Sequence, residues 1–382
     1  MTHRSDISDN STIIKFICAI VFISFTFIYL YFFQADILAM EQRVLSGGVT
    51  QYDKTIGALV ITAILYLVQL GVNRLTCFKG SMYALTFFPS LVLLTLLTSV
   101  SNDFDVSKSF GAWIWIAPVL LILYICLAVV FNRNKILDLS VFKCPFPRLL
   151  SINLLIMALS FLMVCFGGND DEVFHYRMRV ETLLNENEYD KALEVGEKSY
   201  NTDKSLTMLR IYALSKKRQL GERLFEYPLE GKSDALLPDG RDVRCLLFSE
   251  DNILKQLSIR KKGSMPSMQY LSYISKSGLA MKSVTDYLLC GYLLDKNLDA
   301  FVSEIQKKYN LELPTLPKHY REALTLYTHI RSNPVIVYHS EVMDADYSDF
   351  QALEKKYTDK AEQAAYVRDT YGDTYWFYYF YE

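Results

Sequence analysis

The chain has 382 residues, of which 51% are hydrophobic, 14% aromatic and 21% charged, and its formal net charge is −2. A mean hydropathy of +0.13 is too apolar for an ordinary soluble domain and too polar for a wholly membrane-embedded chain, so it averages two unlike parts. With a pI near 6.3 the basic footprint of a nucleic-acid binder is missing, and neither disorder nor a soluble dinucleotide-binding enzyme describes the whole chain.

Charge locates the seam. Residues 1–168 carry 11 Lys and Arg and 8 Asp and Glu, whereas residues 169–382 carry 29 and 34. The first part reads as a transmembrane domain and the second as a soluble one. Five apolar runs, about 13–33, 56–73, 82–100, 111–131 and 149–167, reach or approach the length that crosses a bilayer as a helix, which is ~20 residues. The first run exceeds the apolar core of a signal peptide and no small-residue cleavage site follows it, so it is expected to stay as an anchor. Pro89 and Pro118 fall inside the third and fourth runs and are expected to kink them.

Basic residues set the expected orientation. Arg4, Lys15, Arg74, Lys79, Arg133, Lys135, Lys143 and Arg148 share one side; Arg43, Lys54 and Lys108 lie on the other. That bias of 8 to 3 puts the N-terminus in the cytoplasm and, after five crossings, the polar half outside it. No Asp, Glu, Arg or His occupies the centre of a run, which disfavours an ion-coupled transporter. Lys15 lies near one end and can snorkel. Gln69 and Asn153 are expected to act as hydrogen-bonding glue between helices.

The loop after the first run holds Asp36, Glu41 and Asp53. A carboxylate at the outer face could deprotonate an acceptor or hold a metal, as in membrane glycosyltransferases that use lipid-linked sugars. Asp36 and Glu41 are therefore the catalytic candidates of a rival, enzymatic reading. Against it, acidic residues are common in any outer loop.

No CxxC occurs, and five of seven cysteines (Cys18, Cys77, Cys126, Cys144 and Cys165) lie in or beside the apolar part. These read as free thiols; a Cys245–Cys290 bridge stays open, because the compartment deduced above is oxidising. The five histidines, His3, His175, His319, His329 and His339, have no metal-ligand spacing, and no metal or cofactor is expected.

Beyond Asn169 the pattern is of amphipathic helices and short turns. Phe174, Met178 and Leu184 mark one helix; after a turn at 185–188, Ala192, Leu193 and Val195 mark the next. Leu209, Tyr212 and Ala213, then Leu220, Leu224 and Phe225, form a second pair. Tyr287, Gly291 and Leu294, then Phe301 and Ile305, form a third, and Pro317 opens a further helix. Residues 229–268 read as loops around one helix, and only Pro334–Ser340 (PVIVYHS) has a strand-like run. The paired helices resemble tetratricopeptide repeats, with Ala192 and Ala213 at small-residue positions, Tyr176 at the aromatic position of the first helix, and Gly196 where a bulky residue is usual. The expected fold is all-α: a five-helix transmembrane bundle (1–168) followed by a tetratricopeptide-like α-solenoid (169–382).

The segments DYLLCGYLLDKNLDAF, LPKHYREALTLY and DTYWFYYFY, together with EQRVLSGGVTQYDKTIGALV after the first run, resemble an uncharacterised family of bacterial multi-span membrane proteins. Its members join a polytopic N-terminal part to a tetratricopeptide-like C-terminal part in Gram-negative envelopes, often with more spans than five. The resemblance implies architecture and no activity.

Seven aromatics in succession, Tyr375 to Tyr381, read either as an interfacial or partner-binding strip or as a terminal helix capping the repeats beside the membrane surface. The run Arg260, Lys261 and Lys262 reads as a solvated loop. The expected molecule is an inner-membrane protein with a periplasmic repeat domain. It acts as a scaffold that binds a protein or peptide partner, with Tyr176, Tyr212, Tyr287, Tyr375 and Trp376 as candidate contacts. A glycan- or lipid-handling transferase is the alternative. A sensor ranks third, for want of a cytoplasmic output domain.

Overall fold

The computed structural model describes residues 2–76, 78, 80–100, 111–134, 145–258, 262–278, 280–311, 315–357 and 359–382, with only the backbone described for 2–10 and 132–134. Cys77, Lys79, Lys108, Lys135, Lys143, Cys144, Arg260 and Lys261, and the side chains of His3, Arg4 and Arg133, lie outside the described residues. The chain divides into two units, Met1–His175 and Tyr176–Glu382. The described residues form eighteen α-helices and no strand.

In the first unit these are α1 (Thr2–Ile28), α2 (Ala35–Leu45), α3 (Lys54–Leu75), α4 (Phe88–Thr98), α5 (Trp113–Asn134) and α6 (Phe146–Gly167). Five segments are long and apolar enough to cross a membrane: Ser11–Phe33, Lys54–Leu75, Gly80–Thr98, Trp113–Phe131 and Phe146–Gly167. Their outward faces are apolar too. Ile64, Leu67, Leu123 and Leu155 are exposed, as suits a lipid-facing surface and not a water-facing one. Inside, Phe25 stacks on Phe161 with ring centroids 3.9 Å apart, and Phe22 meets Phe87 at 4.9 Å.

The Gly80–Thr98 segment changes helix type midway: Gly80–Phe87 is 3₁₀ and α4 begins at Phe88, with Pro89 in its first turn. Proline fits there because a first-turn N–H has no helical partner to lose. The 3₁₀ stretch is braced from both neighbours. Asn153 of α6 accepts from the Ala84 N–H at 2.8 Å and donates to the Gly80 carbonyl at 2.9 Å. Gln69 of α3 donates to the Thr86 and Tyr83 hydroxyls. The first segment ends in a π-helical turn, Tyr29–Phe33. The Tyr29 hydroxyl accepts from the Gln34 amide at 3.2 Å and lies 3.4 Å from the Thr98 hydroxyl.

Helix α7 (Glu172–Asn185) crosses the division and is followed by α8 (Tyr189–Glu194), α9 (Lys204–Lys216), α10 (Leu220–Arg223), α11 (Glu250–Leu257) and α12 (Ser267–Lys276). Then come α13 (Ser283–Leu294), α14 (Leu298–Lys308), α15 (Lys318–Ile330), α16 (Glu341–Lys356), α17 (Lys360–Tyr371) and α18 (Tyr375–Tyr381). Three hairpins, α7–α8, α9–α10 and α13–α14, turn identically. A left-handed residue, Asn187 (φ 61), Arg218 (φ 58) or Lys296 (φ 56), follows the first helix. The next N–H then reaches back to the helix's last turn: Glu188 to Leu183 at 2.9 Å, Gln219 to Leu214 at 2.9 Å, Asn297 to Tyr292 at 2.8 Å. This Schellman-type closure satisfies carbonyls that the helix end leaves unpaired.

Close approach fixes two glycines. Gly196, with φ +63, ends α8 before Val195 can join it, and a Cβ there would stand 2.7 Å from the Tyr176 ring. The bulk expected at position 196 is thus supplied by Tyr176. A Cβ at Gly221 would stand 2.6 Å from the Tyr320 ring, where α10 meets α15. Helix α9 is buried on every side from Ser205 to Ser215, which makes it the axis of this unit's core.

Several sequence expectations are corrected. Pro334–Ser340 forms no strand; its Val335 and Tyr338 N–H groups donate to the Tyr327 and Thr328 side-chain oxygens of α15 instead. Cys245 and Cys290 are free thiols, in line with the free-thiol reading, and the bridge left open does not form. Lys262 is buried, its ammonium donating to the Pro238 carbonyl at 2.8 Å, and burial lowers its pKa. The aromatic tail is neither a belt nor a strip: Tyr375, Trp376, Phe377 and Tyr378 are buried, and Phe380 is exposed. The Tyr375 and Tyr378 hydroxyls donate to the Leu293 and Leu294 carbonyls, closing the open end of α13.

Candidate functional site

In the second unit a groove of about 420 Å³ opens beside the first two hairpins. One side is Asn185 and Asn187, at the α7–α8 turn, with Tyr189; another is Tyr212 and Lys216 of α9. Asn252, Lys255 and Gln256 of α11 face them, and Phe248 and Leu184 complete the lining.

A buried carboxylate builds this wall. Glu181 on α7 accepts the N–H groups of Leu246 at 2.7 Å and Phe248 at 2.8 Å, and that of Leu247 between them. Arg177, one turn earlier, donates to the other oxygen of Glu181 at 3.3 Å and to the Arg244 carbonyl at 2.6 Å. Every contact is a donor, which offsets part of the burial that pushes the pKa of this carboxyl up. The clamp holds Phe248 with its ring centroid 5.2 Å from that of Tyr212 and delivers the chain into α11. Gln256 then donates to Ser215 at 2.6 Å, pinning α11 to α9.

Among the described residues neither groove lysine is ion-paired. The Lys216 ammonium stands 5.2 Å over the Tyr212 ring, while its neighbour Lys217 pairs with Asp190. Lys255 has no carboxylate partner among the described residues, and Asp251, one turn before it, makes no ion pair with it. No acid lines the groove among the described residues.

In the first unit the acids after the first apolar run have unlike fates. Asp53 caps α3, accepting from the Thr55 and Ile56 N–H groups at 2.9 Å. Asp36 is half-buried in the first turn of α2. Glu41 is 4% exposed, on the face of α2 that also buries Ile37 and Leu38. One of its carboxyl oxygens has no hydrogen-bond partner, and burial pushes its pKa up to about 8. It is therefore largely a neutral acid at pH 7, suited to donating a proton and not to serving as the base expected from the sequence.

Histidine placement is structural. Buried His319 accepts the Phe225 N–H at Nε2 and donates from Nδ1 to Glu322 at 2.9 Å, and Glu322 also accepts the Tyr375 N–H at 2.7 Å. Both ring nitrogens are used, and together they anchor the tail. His329 and His339 meet at Asp344, 3.6 and 3.3 Å away, which their ten-residue separation does not foretell. Among the described residues no three His, Cys, Asp or Glu gather into a metal-ligand group.

Of the candidate contacts, Tyr212 is 3% exposed at the groove, whereas Tyr287, Tyr375 and Trp376 are buried in the core and present no face to a partner. Tyr176 is half-buried against Gly196. The groove's polar lining, Asn185, Lys216, Asn252 and Lys255, went unnamed in the sequence reading. One signal was available: Glu181 interrupts the apolar stripe Phe174–Met178 at helical spacing, and an acid so placed needs donors from another segment.

All-helical architecture with five membrane-length apolar segments defines a helical membrane protein with a substantial polar unit. The chain belongs to the Family of unknown function (DUF6057), whose profile matches residues 104–257 and 247–382. The matched stretch takes in the fourth and fifth apolar segments and the whole polar unit. No curated protein and no solved structure matches the chain.

Proposed function

We propose that this protein is a membrane-anchored scaffold whose polar unit is a tetratricopeptide-like repeat domain that captures a protein or peptide partner. The observation that carries the reading is the groove between α7–α8, α9 and α11, walled by amide and aromatic side chains that no described segment of the chain fills. The three identical hairpin turns support the repeat assignment, because stacked hairpins bury a continuous core and leave a shared face for binding. The basic-residue bias supports an inner-membrane location with a cytoplasmic N-terminus and a periplasmic polar unit.

The test is a photocrosslinking side chain placed at Asn252, in the groove, or at Ala365, exposed on α17, in the full chain in its native membrane. A discrete protein adduct from Asn252 and none from Ala365 is expected; no adduct from Asn252 would overturn the scaffold reading. For orientation, an impermeant thiol reagent should label Lys232→Cys from outside and Asn134→Cys only after permeabilisation.

Glu41 favours a second reading, an envelope transferase using the first outer loop, because a buried neutral carboxyl with an unpartnered oxygen can act as a general acid. Losing such a group costs ~100- to 10,000-fold in rate. Under the scaffold reading Asp36→Asn and Glu41→Gln leave the cell-envelope phenotype unchanged. Complete loss of function at normal abundance would favour the enzyme.

A further inference from the structure

We infer that the groove recognises an acidic peptide, holding one carboxylate between the Lys216 and Lys255 ammonium groups. The inference rests on the scaffold reading and names the chemistry of its partner. Two cations that make no ion pair with a described residue flank one cavity that no described acid lines, so its field attracts an anion.

The kind of anion follows from placement. Lys216 is the last residue of α9 and Lys255 lies in the last turn of α11. Both stand where helix carbonyl ends contribute negative potential, which moderates the local positive charge. No arginine lines the cavity among the described residues, so the planar fork that favours phosphate is missing. A singly charged carboxylate matches this weaker field.

The remaining lining suits a peptide. The Asn185 amide already donates to the Leu247 carbonyl and Asn187 accepts the Tyr189 hydroxyl, so the Asn185 oxygen, the Asn187 NH2 and the Asn252 amide are the groups complementary to main-chain N–H and C=O. Tyr212 and Phe248 form an aromatic wall for the aliphatic part of a flanking side chain. At about 420 Å³ the groove lies near the low end of ligand cavities, which run ~300–1,000 Å³. That is room for a short extended stretch and not for a folded domain.

The experiment is fluorescence anisotropy with the full chain in detergent and three labelled hexapeptides: Ser-Leu-Glu-Glu-Leu-Ser, its Gln isostere and its Lys counterpart. The Glu peptide should bind, weaken as salt rises, and lose at least about tenfold in affinity with Lys216→Gln/Lys255→Gln, a loss matching roughly one ion contact at each lysine. Lys276→Gln, an exposed lysine outside the groove, should leave binding unchanged. Lys255→Glu gives a second variant, expected to abolish Glu-peptide binding and to admit the Lys peptide, with thermal unfolding confirming that both variants fold. Equal binding of the Gln isostere, retained affinity in the double variant, no binding of the Glu peptide at millimolar concentration, or displacement by inorganic phosphate where acetate fails would each overturn the inference. A protein adduct at Asn252 with no Glu-peptide binding would overturn this inference and leave the scaffold reading standing.

Discussion

The two units bury polar side chains by opposite means. Within the apolar segments of the first unit, the buried cross-links are neutral: Asn153 and Gln69 brace the 3₁₀ stretch, and Ser90 donates to the Leu65 carbonyl at 2.8 Å. In the second unit titratable groups share this role with neutral ones. Glu181 gathers three N–H groups, and Arg210, 1% exposed, donates to the Val195 and Gly196 carbonyls at 3.2 and 3.1 Å. Its buried guanidinium has a pKa lowered to about 10 by desolvation, still charged at neutral pH. Where lipid faces the helices, no water relieves a misplaced charge, and amides and hydroxyls can be satisfied pairwise. Where the protein is surrounded by water, a single ion can be saturated with backbone dipoles and then ties together segments far apart in sequence. Glu41, between the first two apolar segments, obeys the first habit by remaining protonated.

The sharpest way to break this contrast is Glu181→Ala. It leaves Arg177 and three N–H groups without their acceptor, and a loss of about 3–5 kcal/mol is expected, as for removing one member of a buried ion pair. Urea unfolding of the detergent-solubilised chain reads it; a loss under about 1 kcal/mol would mean that the loop is held by other contacts.

Next is the tail. Trp376 fills the core and its indole N–H donates to the Glu322 carbonyl at 2.8 Å. Trp376→Ala should cost about 3 kcal/mol, the lower end for such truncations because a terminal helix can resettle. Unchanged thermal unfolding would return the tail to the role of a surface strip.

In the first unit the expected effect is smaller. Asn153→Leu removes neutral hydrogen bonds in an apolar setting and should lower stability by about 1–2 kcal/mol. Scanning calorimetry in detergent checks this, and a loss comparable to that of Glu181→Ala would erase the distinction between the units.

The smallest effect at neutral pH belongs to Glu41→Gln. The folded-state pKa, about 8 against an ordinary 4.5, means that folding favours the protonated acid. Its contribution is fully present below about pH 4.5 and is lost as pH rises through 8. Wild type should therefore lose melting temperature between about pH 4.5 and 8, while Glu41→Gln keeps a flatter profile. Identical profiles would place the carboxyl in water.

What sequence alone determined is whatever depends on local periodicity and on the cost of transferring apolar or charged groups. The five membrane-length segments and the hairpins marked by Leu184, Tyr212 and Leu294 were legible because each follows from neighbours three or four residues apart. The hairpin turns were harder to read: Arg218 and Lys296 stand where glycine is the usual signal. Only the tertiary structure decided what depends on a distant partner. Glu181 meets its donors some 65 residues away, the tail tyrosines meet the end of α13 more than 80 residues away, and Lys216 and Lys255 come to one groove from two helices. A side chain's hydrogen-bonding and charge are written in its residue type, but whether it is buried, paired or left free to bind is set by the segments that fold against it.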